Sequence, residues 1–180
     1  LLAGVLLAIV VAVIRHNDQL GTHGFWAFVI RWIHVWFGLL WIGLLYYFNF
    51  VQIPSMPKIP DEHKPAIGKV IAPAALFYFR WAAAATVLFG ILTVIMDGHV
   101  TAFIFQDGLA TIGIGMWLAL IMAFNVWFII WPNQKKALGL VEADADTKKK
   151  AARTAMLASR TNTLLSIAML YCMVAQGNVG

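Results

Sequence analysis

Residues 31–54 read RWIHVWFGLLWIGLLYYFNFVQIP, with no Asp, Glu or Lys anywhere in the stretch. An α-helix rises about 1.5 Å per residue, so about 20 such residues cross the hydrocarbon core of a bilayer. The run is too long for a strand and does not alternate with period two. Backbone groups in lipid must be bonded within the segment or in a closed barrel, so a helix is predicted. The same reading extends along the chain. It predicts helices over about 1–14, 25–51, 70–96, 108–131 and 151–175, in one all-α, polytopic transmembrane bundle covering 1–180. Composition agrees. The chain is 62% hydrophobic and 12% charged, whereas a soluble domain carries about 25% charged residues. A soluble chain of this size has too little interior to hide so much apolar surface.

Helix ends are signposted. Pro54, Pro57 and Pro60 are predicted to stop the second helix, Asp97-Gly98 the third and Trp131-Pro132 the fourth. Asp107 is placed to cap the start of the fourth. Trp26, Trp127 and Trp131 fall near the expected interfaces, where aromatic belts lie. Segment 132–153 carries six Lys/Arg against three Asp/Glu, segment 52–69 three against two, and segment 97–107 none against two. The positive-inside rule then places 52–69 and 132–153 in the cytoplasm, with the N-terminus in and the C-terminus out. The formal net charge of +5 lies in these short segments, so nucleic acid is not an expected partner. The run EADADTKKK at 142–150 reads as a solvated turn. Cys172 is the only cysteine, which excludes an internal disulfide and a CxxCH haem attachment. The chain begins inside an apolar run, and a longer parent polypeptide is expected.

Ionisable groups inside spans are costly and need partners or a polar cavity. Arg31, His34, Arg80 and Arg160 fall within the predicted spans, and no predicted span contains an Asp or Glu. That absence disfavours a proton pump. Unpaired cations instead invite an anion: a haem propionate, a lipid head group or an acidic partner subunit. Arg31, His34, Gly38, Trp41 and Leu45 share one helical face. His34 is a candidate haem ligand, with Arg31 holding a propionate. The alternative is a histidine hydrogen-bonded between helices. His99, His23 and His16 are candidates for a second axial ligand, His99 being the best placed. A second polar set comprises Arg80, Asn125, Arg160 and Asn162, with Asn49 approaching. It reads as an interhelical network, or as a site for a small anionic or purine-like substrate. Gly113, Gly115 and Ala82–Ala85 are expected at close-packed surfaces.

Three blocks carry a resemblance: RWIHVWFGLLWIGLLYYFNFVQIP at 31–54, NVWFIIWPNQKK at 125–136 and SRTNTLLSIAMLY at 159–171. Together they resemble the membrane domain of the bacterial PuuD-type urate oxidase (urate hydroxylase) family. The shorter pattern Arg31-x-x-His34-x6-Trp41-x-Gly43 is also similar to helices of haem-binding protoporphyrinogen-oxidase-type and copper-resistance membrane proteins. The urate oxidase resemblance implies a multi-pass domain of the bacterial inner membrane. It further implies oxidation of urate to 5-hydroxyisourate, with electrons passed to a periplasmic cytochrome c. Haem b would then be a cofactor, and no haem c is attached to this chain.

Three functions follow as expectations. The first is an integral, mainly structural subunit of a redox or photosynthetic electron-transfer complex, with other membrane subunits and lipids as partners. Such a subunit can contact pigment, quinone or phospholipid. The second is a urate-oxidase-type oxidoreductase module. The third is a small-solute transporter, which would be expected to show broken helices or paired repeats.

Overall fold

The computed structural model describes residues 1–106 and 108–179. Five helices account for most of them: α1 (Leu2–His16), α2 (His23–Lys58), α3 (Lys64–Met96), α4 (Ala110–Ala137) and α5 (Ala145–Ala175). The all-α bundle expected from the apolar runs is present. Three of the five, α2, α3 and α4, are long and apolar enough to cross a membrane, which corrects the expectation of about five spans. At 15 residues, α1 reaches only about 22 Å. The composition of α5 has a structural reason: its buried stripe includes Ser159, Asn162 and Ser166. It presents polar side chains inward where its neighbours present apolar ones.

The prolines do not end helices where the sequence suggested. Helix α2 continues through Pro54 and Pro57, and α4 continues past Pro132 to Ala137. Each of α2, α3 and α4 has a wide-turn π segment just before a proline: Tyr47–Gln52 before Pro54, Ile67–Ile71 before Pro73 and Asn125–Ile130 before Pro132. A proline lacks an N–H and its ring crowds the carbonyl four residues back. Shifting to i→i+5 bonding moves that carbonyl aside, so the helix axis carries on.

Helix α2 packs along α3, and α4 along α5. The core joins all four, through Trp41, Leu45 and Phe48 of α2, Phe79 and Ala83 of α3, Met122, Val126 and Ile130 of α4, and Ala155 and Met169 of α5. Helix α1 has no buried residue. The outward faces are apolar, with Trp36, Leu39, Trp81, Leu88, Trp117 and Phe128 all exposed. Such a continuous apolar exterior suits lipid rather than water.

The glycines mark close approaches. A Cβ on Gly113 would collide with the carbonyl oxygen of Ala102, and one on Gly115 would lie 2.9 Å from Cys172 Cβ. The expectation that both lie on close-packed surfaces holds, and Cys172 is a buried packing residue. The capping role expected of Asp107 lies outside the described residues. Gln176 at the end of α5 bonds to the start of α4 and the turn before it. Its Oε1 accepts from Ile112 N at 3.1 Å, and its Nε2 donates to the Gly108 carbonyl at 3.2 Å. Asp144 caps α5, accepting from Thr147 N at 2.8 Å and from its hydroxyl at 2.6 Å. Those two bonds hold its carboxyl below the usual carboxylate range.

Candidate functional site

The polar groups form two sets, one towards each end of the bundle. The first joins α2 to α3. Arg31 donates to Asp97 at 2.6 Å; the arginine side chain is 53% exposed and the aspartate 16%. Asp97 lies just past the end of α3, so Arg31 has the acid that the spans themselves lack. One turn further along α2, His34 Nδ1 lies 2.8 Å from the Thr86 carbonyl oxygen. A carbonyl only accepts, so Nδ1 carries the proton and Nε2 keeps its lone pair. The ring lies so close to Gly90 that a Cβ there would approach Cε1 to 2.9 Å. His34 therefore fills the seam that Gly90 opens between the helices.

His34 offers one axial nitrogen, Nε2, to a haem iron. His99, His23 and His16, the candidates for a second ligand, are all exposed. Among the described residues, no group of three or more His, Cys, Asp or Glu gathers in one place.

The second set lies where the π segments of α2 and α4 meet α3 and α5. Asn125 Nδ2 donates to Asn162 Oδ1 at 2.8 Å, and Asn162 Nδ2 donates to the Met122 carbonyl at 2.9 Å. Asn49 Nδ2 donates to Leu45 O at 2.9 Å and to Ser159 Oγ at 2.8 Å. Ser166 and the Tyr46 hydroxyl lie 3.0 Å apart. These bonds tie α2, α4 and α5 together, and Asn125 and Asn162 pair as the sequence suggested. Arg160 does not join them, because it is exposed. Two residues along a helix is a rotation of roughly 200°, so placing Asn162 inward turns Arg160 outward.

Arg80 stands at the edge of this network. It is only 9% exposed, and its guanidinium carbon lies 3.4 Å from the centroid of the Trp131 ring. Among the described residues it has no acidic partner: the ion pairs are Arg31–Asp97, His63–Glu62 and Lys64–Asp61. Stacking on tryptophan contributes about 0.5–2 kcal/mol, and Lys135 Nζ lies over the same ring, 5.5 Å from its centroid.

Three carboxamide oxygens of α2 and α4 are short of partners. Asn49 Oδ1, Gln52 Oε1 and Gln134 Oε1 are buried without a hydrogen bond. Gln134 is one turn beyond Trp131, and Gln52 one turn beyond Asn49. Phe48 packs edge-on against Phe79 at 5.7 Å, and Trp81 against Trp127 at 5.5 Å. These contacts align the turns of α2, α3 and α4 that carry the set. The sequence pointed to Arg80, Asn125 and Asn162 but not to Gln52 or Gln134. Each lies two residues from a proline, Gln52 before Pro54 and Gln134 after Pro132, and that spacing would have been the available signal.

The fold and these groups define an apolar helical bundle that holds an arginine with no acidic partner among the described residues, and carboxamide oxygens without hydrogen bonds. Residues 75–178 match the family described as urate oxidase N-terminal. That is more than half of the chain, and the protein belongs to this family. No curated protein and no solved structure matches it. The matched segment contains Arg80, Trp131, Gln134, Ser159 and Asn162, and begins after Arg31 and His34.

Proposed function

We propose that this protein is the membrane module of a urate-oxidising enzyme, seated in the bacterial inner membrane with α2, α3 and α4 as spans. The observation that carries the reading is the family match over residues 75–178, on a bundle whose matched part buries an arginine without an acid. Loop charge favours an orientation with 132–153 on the cytoplasmic side. In the reaction, urate and water give 5-hydroxyisourate, two protons and two electrons. The electrons are taken singly by two molecules of an oxidised c-type cytochrome at the opposite face. This reading is favoured over a purely structural subunit because the matched family is described as a urate oxidase domain. It is favoured over a transporter because the helices run on through their prolines and no paired repeat is evident.

The test is urate-dependent reduction of added c-type cytochrome by membranes containing the full chain, followed with urate consumption. One urate consumed for each two cytochromes reduced is expected. Membranes that consume no urate above those lacking the chain would overturn the reading.

A further inference from the structure

Asn162 takes the inward position on α5, and the opposite side of that helix is left uncovered. Residues four, seven or eleven positions from Arg160 fall within about 40° of it around the helix. Lys149, Arg153, Arg160, Leu164, Ile167 and Tyr171 therefore stand on one line, and all six are exposed. The first half of the line is cationic. The second half is apolar, with Leu164 70%, Ile167 66% and Tyr171 67% exposed. None of the three cations is in an ion pair among the described residues. Asp146, the one acid of α5, lies beyond the cationic end.

Hydrogen bonds to α4 set the depth of this line. Asn125 bonds Asn162, and Ile112 bonds Gln176, so the two helices run antiparallel in step. Equal steps along both bring Arg160 level with Trp127 and Phe128, about 5 Å inward of Trp131. Arg153 comes level with Gln134 and Lys135, at the cytoplasmic end of α4. An outward arginine at the depth of Arg160 meets acyl chains. Its long stem can carry the guanidinium back towards the phosphate layer, where an anion relieves the cost of the charge.

We propose that the outer face of α5 binds one anionic phospholipid of the cytoplasmic leaflet. Arg160 and Arg153 are about 10 Å apart along the axis, near enough for both side chains to reach a phosphodiester between them. Lys149 adds positive charge at the headgroup level. One acyl chain lies along Leu164 and Ile167 to Tyr171, where an apolar hollow between Tyr171, Val174 and Val179 continues the path. Arg160 to Tyr171 is about 16 Å, close to one leaflet of a hydrocarbon core about 30 Å thick. The cations follow one another along the axis rather than side by side, so they fit one headgroup and not the paired phosphates of a two-headed lipid. An acidic protein segment would match the cations but not the apolar half. The site needs α4 to be a span, as proposed above, and is independent of urate chemistry.

The experiment reconstitutes the purified full chain in phosphatidylcholine membranes with trace spin-labelled phosphatidylglycerol or spin-labelled phosphatidylcholine. The motionally restricted fraction of each probe gives its relative association. Wild type is expected to prefer phosphatidylglycerol, and Arg160→Gln should lower that preference by about fivefold. Ile167→Asn, which spares the charges, should lower it too. Lys136→Gln removes an exposed charge at the end of α4, off the line, and should change it little. Soluble glycerol phosphate should not displace the lipid probe. Equal association of the two lipids with wild type would overturn the site. So would equal losses in Lys136→Gln and Arg160→Gln, which would leave only a general surface charge, or displacement by glycerol phosphate, which would leave a site for a free anion. Efficient cross-linking between two copies carrying Leu164→Cys and Cys172→Ala would also overturn it, by showing that a second copy covers this face.

Discussion

Arg31 and Arg80 both interrupt long apolar helices, and the structure treats them in opposite ways. Arg31 is half-exposed and meets Asp97 at 2.6 Å. Arg80 is buried against Trp131 and meets no carboxylate among the described residues. Around Arg31 the polar groups are spoken for, since His34 bonds Thr86 and sits on Gly90. On α2 and α4, the oxygens of Asn49, Gln52 and Gln134 are buried without donors. One end of the bundle is a closed joint between two helices, and the other is chemically incomplete. The difference shows that an intramembrane arginine is informative only once its partners are known.

The largest expected contrast is between the two arginines themselves. Arg80→Gln removes the charge that an anionic substrate needs, and losing a buried charge-assisted contact costs about 2–5 kcal/mol. Urate turnover should fall by about 30-fold or more. Arg31→Gln breaks an exposed pair worth about 0–1 kcal/mol, and turnover should change less than about threefold. Equal losses in the two variants would erase the distinction between the ends.

Asn162→Ala comes next. It strands Asn125 Nδ2 and the Met122 carbonyl in the core. Each stranded group costs about 1–3 kcal/mol, so the thermal midpoint in detergent should drop by several degrees. Gly90→Ala probes the opposite joint. Its new methyl would lie 2.9 Å from His34 Cε1, and such overpacking costs about 1–3 kcal/mol. The loss should shrink in the His34→Ala background. A loss of the same size there would show that His34 and Gly90 do not oppose each other.

The smallest effect concerns Asp144, outside both sets. Its carboxyl is held below the usual range by Thr147. The cap is therefore fully present above the ordinary carboxylate pKa. It is lost as pH falls through that range to the lower folded value. Fraying of the first turn of α5 on acidification, followed by amide exchange near Thr147, should be shifted little by Asp146→Asn and removed by Asp144→Asn.

Much of this was legible in the apolar runs, which locate all five helices because lipid leaves the backbone few alternatives. Pro54 and Pro132 misled because a local rule reads proline as a stop, while a π segment upstream absorbs the clash. Arg160 misled for want of helical phase: Asn162 takes the inward position and leaves it facing out. The Arg31–Asp97 pair spans 66 positions and depends on how α2 and α3 align, which no local pattern encodes. Gln52 and Gln134 look like ordinary polar residues near helix ends, and only their burial without partners sets them apart. The segment matched to the family starts at residue 75, so it takes in parts of both ends: Arg80 and Gln134 of one, and Thr86, Gly90 and Asp97 of the other.

The most direct measurement of which end receives the substrate uses sealed membrane vesicles of each orientation. Orientation is established by labelling a cysteine introduced at Leu140, in the segment between α4 and α5. Urate supplied from the outside should be oxidised in vesicles whose position 140 faces out and whose lumen is loaded with oxidised c-type cytochrome. Vesicles of the other orientation should respond only after permeabilisation. Oxidation confined to vesicles exposing the Arg31–Asp97 end would contradict the account.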